Sequence, residues 1–570
     1  MKRFDLFLMF ICAMGFALSS CSEDYLNIEH YDISPSDEII SSEEGLIAGL
    51  NGIYDLLIPA KVNATDIEQN WNFKPQLCFA NYPALDCQSD SWDYDWMTHS
   101  WRPDKDMFQD GWRQSYKSVD RANRFIAQIN SVGLEIFGGD SETKQETKDI
   151  MLAEARALRA FAYTWLAQNW GRVPMLKEGE TYINTPAKPR AETVEETWNY
   201  IVDDFRFASE HLSWTPWKNQ YGRITKGMAK AYLALAYMYL GEYDKAKIEL
   251  YDIIRSGVYQ LEPQFGNIHK LGQAWGRESL WEVSFPNWPN RTWGGSATTD
   301  ALMWWSFMFA EPAQSFGWGG VYVSYEYIRS MEPGDKRLEY SVVQHGELHP
   351  YVPEAPRVLP NEWYGSWNMP NNYCIKFWKQ QPYPMDQHNP ISAIWMRLAA
   401  VYLNYAECLF RTQGDSPDAG GKTGWDYIDI VRERAWGELE SPGDEPVGTI
   451  QPGVLHVDTK PEGITPDRIG ARPLARDFYA DYMNRKRYQS PSWLVALTVE
   501  RRHEFLAEYS FWYDLTRTNM AAEYFDNEFP IGASIRETEF QAYRSLMPIP
   551  YLEIITNPAI GLDEQNPGYN

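Results

Sequence analysis

The sequence predicts a mainly α-helical protein with a loop-rich insertion that carries short strands. Two observations predict the helices: apolar residues recur every three or four positions in several stretches, and capping or helix-breaking residues stand where those stretches begin and end. A third observation predicts the insertion, because residues 255–390 are rich in Gly, Pro and Trp and show no sustained helical period. The predicted helical frame therefore covers approximately 41–254 and 391–570.

The first predicted helix carries apolar residues at helical spacing over 46–57. Ser41 or Ser42 can cap its start, and Glu43 and Glu44 place negative charge next to the positive end of the helix dipole. The same periodicity predicts further helices. They lie at 151–166, where Gly171 and Pro174 follow, and at 194–212, 396–410 and 494–506.

A helix–turn–helix is predicted at 226–254. Ala229, Ala231 and Ala234 allow helices to approach closely, and Gly241 lies in the turn that leads into the second helix. The pattern resembles one tetratricopeptide unit, a repeat built from a pair of helices. The turn is clear only once, so the sequence leaves the number of repeats open.

The net charge and the aromatic content of the chain both bear on which partners it can bind. The 570 residues carry a formal net charge of −26, and nucleic-acid binding depends on Lys and Arg neutralising phosphates, so DNA and RNA are not expected partners. Aromatic residues make up 15% of the chain, with 25 Trp and 36 Tyr. Such side chains are costly to expose unless something stacks on them, so this content indicates either a binding surface or a Trp-rich core.

The start of the chain has the pattern of an export signal. Lys2 and Arg3 precede an apolar run at 6–18, which is shorter than the ~20 helical residues that span a bilayer. The run ends in Leu18-Ser19-Ser20-Cys21, which resembles the lipobox of bacterial lipoproteins. The alternative is a plain signal peptide with a coincidental cysteine.

The lipobox resemblance implies that 1–20 is removed and that Cys21 is lipidated. Ser22-Glu23-Asp24 follows and resembles the sorting signal that sends Bacteroidetes lipoproteins to the outer face. Two acyl chains anchor a protein far more firmly than one, since each buried methylene contributes ~0.8 kcal/mol. In such an exported protein Cys78 and Cys87 can form a disulfide, and the sequence leaves that pairing open.

Five blocks, in order along the chain, resemble the SusD-like (RagB/SusD) family of nutrient-uptake lipoproteins. They include Glu154-Ala155-Arg156 with Asn169-Trp170-Gly171, Gly222-Arg223-Ile224-Thr225-Lys226-Gly227, Tyr402-Leu403-Asn404-Tyr405-Ala406-Glu407, Glu500-Arg501-Arg502-His503-Glu504-Phe505 with Trp512-Tyr513-Asp514-Leu515, and Met547-Pro548-Ile549-Pro550 with Asn566-Pro567-Gly568-Tyr569. These blocks are fold signatures, and their Arg and Glu residues are expected to pair with one another, because buried charges need partners.

The resemblance implies one SusD-like domain at 21–570, folded as a tetratricopeptide-like helical superhelix with the insertion at 255–390 as its ligand-binding part. It implies a lipid-anchored protein on the exterior of the outer membrane. It also implies a non-enzymatic role: binding an oligosaccharide and passing it to a SusC-like TonB-dependent transporter. The insertion departs from the family blocks, so the resemblance does not identify the glycan.

Trp is concentrated in two windows, 71–112 and 275–318, which together hold twelve of the 25 Trp residues. A pyranose ring has apolar C–H faces and a rim of hydroxyls, so its site needs flat aromatic platforms with polar side chains at the edges. Both windows supply this combination, although any single Trp can equally belong to the core. The candidate glycan contacts are Trp71, Asp90, Trp92, Tyr94, Trp96, Trp288, Arg291, Trp293, Trp304, Trp318 and Tyr322.

No cofactor is expected and no metal ligand is assigned. Asp90, Asp93 and Asp95 can bind calcium, since hard cations take clustered oxygen ligands, but the glycine and bidentate Glu of an EF-hand are missing. A solvated acidic loop is the favoured interpretation of this cluster.

Enzymatic alternatives have weak local support, and no catalytic residue is assigned. His345 and His349 have zinc-helix spacing, but Gly346 replaces the expected Glu; 421–423 ends like a phosphate loop without the glycine that should begin it. A surface glycoside hydrolase remains the main enzymatic alternative, because paired carboxylates near Trp platforms look similar in sequence. Capture of a peptide or a metal complex by the same fold is a third possibility.

Overall fold

The computed structural model describes most of the chain, and helices dominate the described part. The described residues are 42–57, 60–61, 67–68, 74–89, 93–181, 184–270, 272–284, 321–344, 372–377, 392–440 and 471–569. Within these ranges, no helix combines the length and the apolar character needed to cross a membrane. The predicted signal segment 1–20 and Cys21 lie outside them.

The N-terminal part of the frame is a series of helices in which consecutive members pack together. Its helices are α1 (Glu43–Tyr54), α2 (Tyr94–Met97), α3 (Asp106–Ser131), α4 (Ser141–Trp170), α5 (Val194–His211), α6 (Lys226–Tyr239) and α7 (Tyr243–Ser256). From α3 to α7, each helix contacts the next one along the chain. Three short strands lie between α1 and α2, namely β1 (Ala60–Lys61), β2 (Ile67–Glu68) and β3 (Cys87–Gln88).

The described part of the insertion contains strands and two short helices. Its elements are β4 (Ser279–Val283), β5 (Tyr322–Val323), α8 (Tyr325–Ser330), α9 (Arg337–Ser341), β6 (Val342–Gln344) and β7 (Asn372–Cys374), and β8 (Ala393–Arg397) follows it. The sequence predicted short strands here but not α8, whose start is fixed by the Ser324 hydroxyl accepting a hydrogen bond from the Tyr327 N–H at 3.0 Å.

The C-terminal part continues the same helical array. Its helices are α10 (Leu398–Gln413), α11 (Gly424–Ala435), α12 (Ala475–Arg485), α13 (Ser492–Glu504), α14 (Phe511–Arg517), α15 (Ala521–Glu528) and α16 (Tyr551–Thr556). α7 packs on α10 and α10 packs on α11, so the array passes over the insertion without a break. Antiparallel pairing of β4 with β8 closes the insertion at its base, and one hydrophobic core runs through all three parts.

The predicted helices are largely confirmed, and the mainly α class is correct. α1 begins where predicted, because the Ser42 hydroxyl accepts a hydrogen bond from the Gly45 N–H at 3.1 Å. α4 begins at Ser141, earlier than the predicted 151, and Asp140 caps it by accepting from the Thr143 N–H at 2.9 Å. Its first turns are polar and mostly exposed, so they gave no apolar periodicity.

Several helices were not predicted, among them α3, α11 and α12. α3 is 26 residues long, and its buried face mixes apolar side chains with polar ones such as Gln114, Asp120 and Asn123. Its buried apolar residues still recur at helical spacing, so the sequence carried a signal for α3 that the polar residues did not remove. Asn123 shows why they are tolerated, since its amide donates to the carbonyl oxygens of Lys177 at 3.0 Å and Glu180 at 2.8 Å.

Candidate functional site

A four-stranded sheet joins two parts of the chain that are far apart in sequence. Its strand order is β3-β5-β7-β6, and β3 pairs antiparallel with β5, with Cys87 opposite Val323 and Gln88 opposite Tyr322. In an antiparallel pair one strand ends where its partner begins. The chain therefore leaves β3 after Gln88 at the same end of the sheet where it enters β5 at Tyr322.

The remaining strands extend this arrangement. β7 pairs antiparallel with both β5 and β6, which places Cys374 at the same end of the sheet as Gln88. Side chains in the sheet are hydrogen-bonded to one another: the Asn372 amide donates to the Val323 carbonyl at 3.3 Å, and the Gln344 amide donates to Asn372 Oδ1 at 3.1 Å. We call the end of the sheet marked by Gln88, Tyr322 and Cys374 the sheet end.

The sheet is held against the C-terminal end of α13. Arg502 donates to Asp86, the residue before β3, at 2.7 Å, and Lys376, which follows β7, donates to Glu508 at 2.7 Å. The hydroxyl of Tyr327, in the helix α8 that follows β5, donates to the His503 carbonyl at 3.1 Å. One helix terminus therefore fixes the positions of three strands.

The two acidic anchors differ in their electrostatics. Burial alone would raise the pKa of Glu508, but the positive charges of Arg397 and Lys376 lower it well below its ordinary value. Burial raises the pKa of Asp86, and the Arg502 guanidinium opposes that rise only in part. Both carboxylates are buried and bound to cationic side chains, so they position the sheet.

Tyr94 lies at the surface just beyond the sheet end. It is 37% exposed, and its hydroxyl donates to Glu537 Oε1 at 2.9 Å. Burial, followed by this hydrogen bond to a carboxylate, raises the pKa of the hydroxyl. An exposed ring held by a polar partner is compatible with its predicted role as a glycan contact.

Trp96 is a core residue, and its prediction as a glycan contact is wrong. It has no exposed surface, and its ring centroid lies 5.4 Å from Phe79, 5.4 Å from Trp101 and 5.2 Å from Phe108. The short helix α2 turns this indole inward, whereas the sequence showed only alternating aromatic and acidic residues. Trp101 and Trp112 of the same window are also buried.

Tyr322 must also be withdrawn from the candidate contacts. It is 1% exposed, because β5 lies between β3 and β7 in the sheet. Its ring packs at a tilt against Tyr373, with centroids 5.4 Å apart. The backbone of Tyr322 defines the sheet end, but its side chain belongs to the core.

The other candidates lie outside the described residues. They are Trp71, Asp90, Trp92, Trp288, Arg291, Trp293, Trp304 and Trp318, together with the lipidation candidate Cys21. The described chain fixes only where their segments attach. Segment 90–92 follows β3 and segment 285–320 ends before β5, so each joins the sheet end on one side. Segment 285–320 also begins after β4, near Trp288, Arg291 and Trp293, and Trp71 is on a different segment, 69–73.

Two family models match the chain in succession. A model described as "Starch-binding associating with outer membrane" matches residues 24–240, and a model described as "SusD family" matches residues 278–569, which is more than half of the chain. The chain belongs to the SusD family. The resemblance carried by the five sequence blocks is thereby confirmed.

Relatives of this SusD-family chain match it over most of its length. SusD-like protein P2 of Formosa agariphila is 23% identical over 482 residues, which cover 82% of this chain and 81% of the relative. A solved laminarin-binding SusD-like protein has a TM-score of 0.65 at 21% identity, covering 93% of this chain and 100% of its own. Surface glycan-binding protein A of Bacteroides thetaiotaomicron, in complex with laminarihexaose, has a TM-score of 0.63 at 19% identity, covering 92% and 99%. These likenesses establish the tetratricopeptide-like SusD fold.

The charged residues of the SusD-family blocks are paired inside the frame, as the sequence predicted. Glu500 accepts from Arg337 at 2.9 Å and from Arg432 at 2.6 Å, and Arg501 donates to Glu407 at 2.8 Å. Burial raises the pKa of Glu500, but the two arginines lower it to about 2. A buried carboxylate that stays ionised cannot act as a general acid, so these residues give no support to the glycosidase alternative.

The acidic cluster near α2 is only partly described. Asp95 forms an ion pair with Lys105, so its carboxylate already has a cationic partner, and Asp93 is buried. Asp90 lies outside the described residues. Calcium binding here stays an untested prediction.

Two further sequence features have structural roles. Thr423 caps α11 in a capping box with Asp426, accepting from its N–H at 3.3 Å, so 421–423 is a helix start and not a phosphate loop. Cys78 and Cys87 are both buried, and neither forms a disulfide. His345 and His349 lie outside the described residues.

Sequence analysis did not predict the sheet that connects the two aromatic windows. β3 and β5 are only two residues long each, which is too short for a periodic signal. Pairing between strands so far apart in sequence is set by the surrounding packing, and a single sequence shows no trace of it.

Proposed function

We propose that this chain binds an oligosaccharide at the cell surface and delivers it to a SusC-like TonB-dependent transporter. The observation that carries the proposal is the β3–β5 pairing, which brings the segment after β3 and the segment before β5 to one end of one sheet. Trp92 follows Gln88 by four residues and Trp318 precedes Tyr322 by four. Four residues of chain reach at most about 14 Å, so both residues are tethered within that distance of the sheet end, which supports their binding to one sugar chain.

The comparisons support glycan as the ligand class. Two solved relatives with this fold are named for laminarin binding and for a complex with laminarihexaose, and one matching family model is described as starch-binding. The relatives are named as binding proteins. Binding without cleavage is accordingly our proposal for this chain, and its remaining contacts are Trp71, Asp90, Trp92, Tyr94, Trp288, Arg291, Trp293, Trp304 and Trp318.

The proposed location is the exterior of the outer membrane, with Cys21 as the lipid anchor. The family model that matches residues 24–240 is described as associating with the outer membrane. Lipidation at the lipobox would tether the folded body through acyl chains. Labelling with a radioactive or alkyne palmitate tests this point: wild-type chain should incorporate the label, and Cys21→Ala should not.

The central test measures binding by purified protein to a panel of neutral polysaccharides that includes laminarin and xyloglucan. Trp92→Ala and Trp318→Ala should each weaken binding about five- to a hundredfold. A nucleic-acid base stacked on an aromatic side chain contributes on the order of 1–3 kcal/mol, and we expect a sugar face stacked on an indole to contribute a comparable amount. Leu562→Ala, an exposed apolar residue far along the chain, is the control and should bind like wild type.

Three results would contradict the proposal in different ways. Turnover of the bound glycan at enzyme-like rates would favour the hydrolase. Absence of glycan binding with peptide binding present would favour peptide capture. Full glycan binding by both Trp variants would refute the sheet end as the site.

A further inference from the structure

A second group of aromatic residues lies on the loop between α5 and α6 and on the loop before β4. Tyr221 is 71% exposed, and its ring centroid lies 6.4 Å from that of Trp275, at an interplanar angle of 43°. Both residues are described, and both lie outside the sheet end. We call this pair the aromatic shelf.

The backbone at Trp275 adopts a conformation that few large residues take. Its φ is +59°, in the left-handed region, which is an outlier for a bulky side chain. Two contacts maintain it: its N–H donates to the buried carboxylate of Glu282, and its indole N–H donates to Ser284 Oγ at 2.8 Å. The indole is therefore held in one orientation at the protein surface.

The loop that carries Tyr221 is anchored from below. Arg223 is buried, and its guanidinium donates to Glu154 at 2.8 Å and to Gln220 at 2.6 Å. The buried Trp281 of β4 donates its indole N–H to the Gly222 carbonyl at 3.3 Å, which ties this loop to the strand that follows Trp275. Tyr221 is thus exposed on a fixed support and not on a freely moving loop.

We propose that the aromatic shelf is a second carbohydrate-contacting surface, which stacks on a sugar ring of a long glycan whose other residues occupy the sheet end. The proposal rests on the proposed function. It explains why a strained backbone holds an indole beside an exposed tyrosine, since sugar rings need aromatic faces at fixed positions.

The surroundings of the shelf favour a neutral sugar over a charged protein partner. The exposed residues Asn219 and Gln273 lie two positions from Tyr221 and Trp275, and their amides can hydrogen-bond hydroxyl groups. The nearest lysine on the loop, Lys218, is already paired with a glutamate at 3.1 Å. Ser284, which fixes the indole, is followed directly by segment 285–320 of the proposed site.

The experiment compares wild type with Tyr221→Ala on the polysaccharide of the panel that wild type binds best, by affinity electrophoresis, and on its trisaccharide by calorimetry. Tyr221→Ala should weaken polysaccharide binding about three- to tenfold, because one stacked ring is lost from a multivalent contact. Trisaccharide affinity at the sheet end should stay unchanged. Tyr551→Ala, a tyrosine that is 54% exposed on α16, is the matched control and should behave as wild type.

The possible outcomes separate this inference from the proposed function. Wild type that binds no glycan would overturn both. If Tyr221→Ala leaves glycan binding intact, the shelf proposal alone is overturned. The same holds if this variant instead weakens self-association or binding to a purified transporter. Equal loss for polysaccharide and trisaccharide would show that Tyr221 is not a second site. Melting temperatures of all variants should match, since Tyr221 is exposed.

Discussion

The interior of the frame and the aromatic shelf use polar and aromatic groups in opposite ways. Around α13, arginines and glutamates are buried and pair with one another, as where Arg397 binds Glu278 at 2.8 Å and Glu508 at 2.7 Å. At the shelf, Tyr221 leaves most of its surface in solvent above a buried Arg223. The buried charges of this chain stabilise its scaffold, whereas the exposed aromatic faces are the surfaces that we propose for ligands.

The largest expected effect is on the frame, from Arg397→Met. This change leaves the carboxylates of Glu278, Glu504 and Glu508 short of a partner in the interior, which should lower the free energy of unfolding by about 3–5 kcal/mol or prevent folding. Urea unfolding followed by circular dichroism measures it.

The matched control for Arg397→Met is Arg102→Met. Arg102 pairs with Asp104 at 3.3 Å, with 79% of its side chain exposed, and such pairs contribute less than about 1 kcal/mol. Similar stability of the two variants would mean that the buried charges are not what holds the frame together.

A smaller effect is expected in the pH dependence of Glu500→Gln. The pKa of Glu500 is lowered in the folded protein to about 2, so its ionised form contributes stability above its unfolded pKa of ~4.3, and this contribution is lost as pH falls towards 2. Wild type should therefore exceed the variant most clearly above about pH 4.5. The difference should shrink between about pH 4.5 and 2, as measured by thermal melts.

Other groups titrate in both of these proteins, so the difference between the two melting curves isolates Glu500. A difference that stays constant from pH 7 to 2 would show that Glu500 is not selectively stabilised as a carboxylate. Buffer ionisation is controlled by repeating the pair of melts in a second buffer.

The smallest expected effect is from Tyr94→Phe, beside the sheet end. The lost hydroxyl donates to Glu537 in a solvent-exposed hydrogen bond, so the free energy of unfolding should change by less than about 0.5 kcal/mol. Chemical denaturation measures it. A loss of several kcal/mol would show that Tyr94 stabilises the fold as the buried charges around α13 do. It would contradict the difference between the frame interior and the exposed aromatic residues.

Helical periodicity could be recognised from the sequence, but how each helix packs could not. α1 could be placed to its cap because Ser42 precedes an acidic first turn. α3 was missed although its buried apolar residues recur at helical spacing. The sequence does not show that its buried polar residues bind distant carbonyls, as at Asn123, because that compensation depends on the packed structure.

The sequence predicted which residue types form the candidate site, but not how those residues are arranged. Tyr94 and Trp96 stand two positions apart in the same aromatic and acidic pattern, yet one is 37% exposed and the other 0%. Burial of an aromatic residue depends on which neighbours surround it. The helix α2 orients Trp96 towards Phe79 and Phe108, which bury it. Neither Trp217 nor Tyr221 was a candidate contact in the sequence. The loop that carries them is positioned by its contact with β4, which the sequence does not show.

The amino-acid sequence by itself determined the helical class, the family and the need of the buried Arg and Glu residues in the family blocks for partners, since these depend on local periodicity and on the cost of unpaired buried charge. Only the tertiary structure decided which partners they have, which aromatic rings are exposed and that β3 meets β5. Each of these follows from contacts between segments that are separated along the chain, by hundreds of positions for β3 and β5. Such contacts are selected by the packing of the whole chain, so they cannot be read from any one segment.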